Sequence, residues 1–361
     1  MKVATMTLPL HTNYGGIMQA YALQKVIQSL GHETELLYIE PSVFRPPYRV
    51  VLSKIKYSLK YLMGRGGAIK NSNNVFSTFI ANEIKRTPKI EFNHQLNSDS
   101  VQRFDAYIVG SDQVWRPDYA ININSYFFDF VNGQKKLLSY AASFGMDGWK
   151  YNTSQTQDCT KLASKFSAIS VRENAGIALC SDNLNIDAYC NVDPTFLLDL
   201  NIYNSLISKY ANHNDDSKKI FSYILDISNE KIELINSISK AKGVDYKIFN
   251  EGRVGTDKEN LGEWLKCFKT AEFIVTDSFH GVVFSILYNK QFIAIGNKDR
   301  GLSRFESILN MFGLKERLVS SDDDVTNLLL EKIDYNDINE IIENKKREAL
   351  EFINTNLLQG K

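Results

Sequence analysis

An α/β protein is what the sequence predicts: two Rossmann-like domains facing across a cleft (GT-B-like), with a C-terminal helix. Three observations carry that reading. Short apolar strands alternate with helical segments from Val3 to Met311, the pattern of parallel sheets covered on both faces. The alternation runs twice, on either side of the polar stretch Tyr210 to Lys219, which has the composition of a linker. A chain of 361 residues with 43% hydrophobic side chains is long and apolar enough for two cores. The boundaries that follow are 1–209 for the first domain, 210–219 for the linker, 220–332 for the second domain and 333–361 for a helical tail.

The first half opens as βαβ. Val3 to Leu8 reads as a buried strand and Asn13-Tyr14-Gly15-Gly16 as a turn. In Ile17 to Leu30 the apolar positions recur at helical spacing over about one face and a half. Gly31 stands where a C-cap glycine belongs, and Thr34 to Ile39 is the second strand. Residues 50–63 and 73–86 have helical spacing. Phe104 to Val109, Leu137 to Ala142, Ala168 to Val171 and Ala188 to Val192 are further strands, the last closed by Asp193-Pro194. In the second half the strands are Ile220 to Leu225, Tyr246 to Phe249, Glu272 to Thr276 and Phe292 to Ile295. The helices between and after them are Glu230 to Lys240, Asn260 to Phe268, His280 to Leu287 and Ser303 to Met311. A last helix runs from about Asn336 to Leu357.

Composition excludes several classes. Forty-two basic and forty-two acidic side chains cancel, so the basic excess of a nucleic-acid binder is missing. The four cysteines form no C-x-x-C pair, which speaks against a zinc or thioredoxin site and for reduced thiols in a cytoplasmic protein. No run of about 18 apolar residues is present to span a membrane. Thr5, Thr7 and His11 break the apolar N-terminal run, unlike a signal peptide.

In open α/β sheets, ligands bind beyond the carboxyl ends of the strands, and four polar segments fall there. Asn13, Tyr14, Gly15 and Gly16, with Gln19, follow the first strand; backbone amides at such a helix start suit anionic or sugar ligands. A tight turn alone would also explain the glycines. Gly110-Ser111-Asp112-Gln113-Val114-Trp115-Arg116-Pro117 ends a buried strand. Asp112 and Gln113 can hydrogen-bond sugar hydroxyls and Trp115 can stack on a sugar ring, or the Asp caps a helix and the Trp is core. Ser170-Val171-Arg172-Glu173 delivers an arginine at a strand end, a planar fork for carboxylate or phosphate, unless Arg172 and Glu173 form a surface pair. Thr276-Asp277-Ser278-Phe279-His280-Gly281 sets a histidine at a strand–helix junction, where a general acid or base is well held. His11 is a second-line site residue. No metal constellation is found, and Asp322-Asp323-Asp324 reads as a solvated helix start.

Seven segments together resemble the polysaccharide pyruvyl transferase family: NYGGIMQAYALQ (13–24), GSDQVWRP (110–117), SYAASFG (139–145), SVRE (170–173), DPTFLL (193–198), TDSFHGVVFSI (276–286) and RFESILNMFGL (304–314). They occur in the family's order over most of the chain, and residues 41–100 carry no such motif. The resemblance implies transfer of pyruvate from phosphoenolpyruvate to a sugar as a cyclic ketal, with no cofactor. It implies that His280 is the acid/base and that Arg172 holds the donor, the two catalytic residues. Ser278, Gly281, Arg300 and Arg304 join them on the donor side. Asn13, Tyr14, Gly15, Gly16, Asp112, Gln113 and Trp115 make the acceptor side. The acceptor is a sugar or lipid-linked oligosaccharide. Two rivals stand beside this reading: a nucleotide-sugar glycosyltransferase of the same fold, and a non-catalytic sugar-binding protein.

Charge adds one expectation. Between Glu40 and Glu83 there is no acid, and seven basic residues run from Arg45 to Lys70. Val51, Leu52, Ile55, Leu59, Leu62 and Met63 recur among them at helical spacing. Such a helix either lies on an anionic membrane through 45–70, at the inner face, or packs its stripe on the first sheet.

Overall fold

The computed structural model describes residues 1–10, 13–44, 76–212, 219–249, 260–296 and 301–358. The helix expected at 50–63 and the membrane contact expected through 45–70 lie outside the described residues, as do His11 and Arg300.

The first sheet contains β1 (Lys2–Met6), β2 (Glu33–Leu36), β3 (Ala106–Val109), β4 (Lys136–Ala142), β5 (Ala168–Val171) and β6 (Tyr189–Cys190). Their order is β2-β1-β3-β4-β5-β6, and every pair is parallel. The second contains β7 (Ile220–Tyr223), β8 (Tyr246–Phe249), β9 (Phe273–Thr276), β10 (Phe292–Ile295) and β11 (Leu318–Val319). Its order is β11-β10-β9-β7-β8, again parallel. Strands β3, β7, β9 and β10 are buried throughout, which is why they read as unbroken apolar runs.

Several strands are shorter than their apolar runs. Strand β1 stops at Met6, because Thr7 turns its hydroxyl to the Ser111 carbonyl (3.1 Å) and Pro9 follows. Strand β2 ends at Leu36, and only Tyr189–Cys190 of the expected 188–192 strand pairs.

Helix α1 (Tyr14–Ser29) lies in the seam between the domains. Asn13 caps it, its Oδ1 accepting from the Gly16 amide at 2.9 Å. Thirteen of its sixteen residues are buried, far more than one sheet-facing stripe needs. The extra burial comes from the second domain. The Tyr14 ring stacks on Trp264 at 5.3 Å and meets Tyr223 edge-on at 6.1 Å.

The chain crosses the seam twice more. Helix α2 (Leu200–Tyr210) packs on α3 (Leu261–Thr270) of the second domain. A Cβ at Gly262 would lie 2.6 Å from the Ala211 nitrogen, so only glycine permits that approach. The final helix, α4 (Asn336–Leu358), returns to the first domain. There Phe352 meets Tyr140, and the Lys136 ammonium donates to the Leu357 carbonyl. Among the described residues no helix is long and apolar enough to cross a membrane.

Candidate active site

The carboxyl ends of both sheets face one cleft, and the polar residues that follow those strands meet there. Asn13, Asp112 and Gln113 of the first domain and Ser278, His280 and Arg304 of the second line a single cavity of about 270 Å³. A larger cavity, about 360 Å³, opens beyond β1 and β2 and shares only Leu8 with the cleft. Its volume is greater, but His280 and the buried Arg304 line the smaller one, with Arg172 behind the cavity wall against Phe279, and the smaller one is therefore the better site.

His280 is the second residue of helix α5 (Phe279–Leu287), directly beyond β9. Two devices hold this junction. Asp277 accepts from the Leu225 amide (2.6 Å), the Asp226 amide (3.1 Å) and Lys231 Nζ (2.6 Å), tying the turn to the segment after β7. Gly281 brings the helix down on β9, since a Cβ there would lie 2.0 Å from Thr276 Oγ1. That packing alone accounts for a glycine at this position. The imidazole lies against α1: a Cβ at Gly15 would lie 2.1 Å from His280 Nδ1 and 2.2 Å from Cγ.

Arg172 stands at the end of β5 and is 4% exposed, so the surface-pair reading fails. Its Nη1 donates to Ser111 Oγ (3.2 Å) and to Asp193 Oδ2 (3.1 Å). Its Nε is 4.0 Å from Glu173 Oε2, and the Phe279 ring lies 4.0 Å from the guanidinium carbon. Nε and Nη2 are buried without a hydrogen-bond partner. Glu173 is equally buried and holds the Ser143–Phe144 turn, accepting from Ser143 Oγ (2.7 Å) and the Phe144 amide (3.1 Å).

Asp193 joins the two domains. Its Oδ2 accepts from Ser111 Oγ at 2.7 Å and Arg172 Nη1 at 3.1 Å, and lies 3.4 Å from His280 Nε2. Burial alone would push this carboxyl up. The nearby His280, then Arg172 and the Thr195 amide, outweigh burial and hold it well below the usual carboxylate range. Arg304, in the first turn of the helix Ser303–Met311, is also buried. Burial, and next the charge of Arg172, push its guanidinium down to about 10. With the Gln113 amide oxygen turned toward it, Arg304 Nη2 donates at 3.0 Å. Gly301, at φ +85°, lets this turn reach the first domain, for a Cβ there would lie 2.6 Å from the Gly145 carbonyl.

Two expected acceptor residues are elsewhere. Trp115 is fully buried, stacked on Phe127 at 4.9 Å, with Nε1 donating to the Tyr126 carbonyl. Its ring belongs to the first domain's core and cannot stack on a sugar. Tyr14 is 2% exposed within the seam aromatics, and Gly15 makes room for the histidine rather than for a ligand. Gly16 packs toward Asp112, whose Oδ2 would be 3.1 Å from a Cβ there. Gln19 is buried and structural, donating to Thr7 Oγ1 and the Gly16 carbonyl. Asp112 lines the cleft but also closes its own turn at φ +88°, Oδ1 accepting from the Gln113 amide. Reading residues along the chain missed Asp193, Ser111 and Glu173. The DPTFLL segment was the available signal for Asp193, but it reads locally as the end of a strand.

Two parallel-sheet domains with polar and charged side chains gathered in the cleft define a GT-B-like α/β protein. The fold is shared with a protein described as a UDP-N-acetylglucosamine 2-epimerase from Listeria monocytogenes: 11% identity, TM-score 0.53, covering 100% of this chain and 97% of that one. It is shared too with the UDP-GlcNAc 2-epimerase of Methanocaldococcus jannaschii, in complex with UDP-GlcNAc and UDP. That match has 12% identity and TM-score 0.50, and it covers 100% of both chains. At these identities the likeness is one of fold alone. No curated protein matches the chain. The profile of the polysaccharide pyruvyl transferase family matches residues 13–299, and the chain belongs to that family.

Proposed function

We propose that the protein transfers pyruvate from phosphoenolpyruvate to a vicinal or neighbouring pair of sugar hydroxyls, forming a cyclic ketal and releasing phosphate. The observation that carries this reading is Arg172: a buried guanidinium with two unpartnered nitrogens, beside the only histidine of the cleft wall among the described residues. Buried donors without partners call for a ligand or another explanation, and a carboxylate or phosphate matches the fork.

The donor's anionic groups bind to Arg172, Arg304 and the amide end of the helix that begins at Phe279, beside Ser278. Protonated His280 gives its proton to C3 of the enol while one sugar hydroxyl attacks C2 and returns a proton to the imidazole. The second hydroxyl then displaces phosphate, which leaves carrying that hydroxyl's proton. One diol and one phosphoenolpyruvate become one ketal and one hydrogen phosphate. A single histidine serves both directions of proton transfer, and no cofactor enters the scheme. Asn13, Asp112 and Gln113 hold the acceptor from the first domain. His280→Ala removes the proton donor and lowers turnover by about 10²–10⁴-fold. Phosphate release on mixing protein, phosphoenolpyruvate and glycan checks this. Unchanged release by His280→Ala refutes the assignment, and a requirement for a nucleotide sugar would favour a glycosyltransferase.

The same reading takes the acceptor as lipid-linked and the protein as cytoplasmic, meeting the inner face of the membrane through 45–70. Each basic residue near an anionic surface contributes about 1 kcal/mol. Reversing Lys54, Lys56 and Lys60 to glutamate then abolishes sedimentation with anionic vesicles. Undiminished sedimentation ends the membrane part of the reading.

A further inference from the structure

Asp193 does not line the cavity, yet its Oδ2 gathers groups from three places. Ser111 and Arg172 reach it from the first domain and His280 from the second, at 2.7, 3.1 and 3.4 Å. The carboxylate cannot rotate away. Its Oδ1 accepts from the Thr195 amide at 3.0 Å and from Thr195 Oγ1 at 2.8 Å, and Pro194 stiffens the turn between them. Tyr203 donates to the Thr195 carbonyl at 2.7 Å and fixes the turn from behind.

This geometry separates the two nitrogens of His280. Nε2 is the buried one, 3.4 Å from Asp193 Oδ2, at ion-pair distance but without a hydrogen bond. Nδ1 lies on the ring edge against Gly15, and the histidine, like Asn13, lines the cleft. The charged groups around the imidazole are Arg172 and Asp193 behind it and Asp112, Asp277 and Arg304 along the cleft wall. Of these, Asp193 is at ion-pair distance from the ring. A carboxylate held on one imidazole nitrogen fixes the tautomer and leaves the other nitrogen for chemistry.

We infer that Asp193 is the positioning residue of the site: it holds His280 Nε2–H across the domain seam and makes Nδ1 the nitrogen that exchanges protons with the substrate. The inference rests on the proposed role of His280, but the tautomer can be read without any substrate. In the acid form both nitrogens carry protons, and Nδ1 gives its proton to the substrate carbon. In the neutral form Nε2 keeps its proton against Asp193, and Nδ1 accepts from the attacking hydroxyl.

The test is nitrogen-15 NMR of histidine-labelled protein, with His280 assigned by its absence in His280→Gln. The expected result is the Nε2–H tautomer in the neutral state. In Asp193→Asn, the preference weakens. Turnover by Asp193→Asn falls about 10²-fold, with a smaller change in half-saturation by phosphoenolpyruvate. A neutral Nδ1–H tautomer in the unsubstituted protein overturns the inference even if every variant misfolds. So does Asp193→Asn with unchanged nitrogen signals and turnover. If the tautomer is as expected and phosphoenolpyruvate is not consumed, the proposed function fails and the role of Asp193 in orienting His280 stands.

Discussion

Arg172 is held by one end. Nη1 is engaged by Ser111 and Asp193, while Nε and Nη2 have no hydrogen-bond partner. A lysine in its place keeps the charge but cannot hold Asp193 and a ligand with a planar fork. Arg172→Lys therefore raises the phosphoenolpyruvate concentration for half-maximal rate more than tenfold, with the acceptor dependence little changed. Steady-state kinetics in both substrates checks this, and an unchanged donor dependence would make Arg172 structural. Gly15 is a second sensitive point. Added to Gly15, a methyl would overlap the imidazole, so Gly15→Ala displaces His280. The expected outcome is loss of most transfer activity in a protein whose circular dichroism is that of the parent. Parent-like activity would show that the helix shifts to make room.

The residues that could be picked out from the sequence are those whose role depends on their immediate neighbours. His280 and Arg172 each follow a buried strand, and the carboxyl end of a parallel strand faces the cleft. Asp193 was not legible as a hub, because Arg172 and Ser111 are 21 and 82 residues away along the chain. Trp115 misled for the related reason that an aromatic after a strand end has two homes. Phe127 and Phe144, distant in sequence, draw its ring into the core.

At the scale of elements, α1 does two jobs: it covers the first sheet and it forms the floor of the seam. Its helical period was legible, but its near-complete burial was not, since the second covering surface comes from residues some two hundred positions later. Trp264 is the centre of that surface, in contact with Tyr14, Tyr223, Phe268 and Phe284. Removing so large a buried aromatic typically costs about 3–5 kcal/mol. Trp264→Ala should lower the urea midpoint accordingly and loosen the seam that places Gly15 on His280. A midpoint within experimental error of the parent would show that α1 does not depend on this packing. Helix α4 matters in the complementary sense: it begins after the second domain and ends on the first, so the two domains are tied at a second point away from the cleft.

At the scale of the molecule, neither domain contains the site. Arg172, Asp193 and Asp112 belong to the first, His280, Ser278 and Arg304 to the second; across the seam His280 Nε2 lies 3.4 Å from Asp193 Oδ2, and Asp112, Ser278 and Arg304 line one cavity. The two-domain architecture was readable because strand–helix alternation restarts after the polar stretch at 210–219. The return of α4 was not, for nothing in an amphipathic helix names the surface it will cover. Pyruvyl transfer itself is read by mass spectrometry of an acceptor glycan incubated with the protein and isotope-labelled phosphoenolpyruvate. The predicted result is a gain of one labelled pyruvic acid less one water per acceptor, with one phosphate released for each, and neither with His280→Ala. A glycan that stays unlabelled while nucleotide-sugar addition extends it, or labelling that His280→Ala leaves intact, would contradict it.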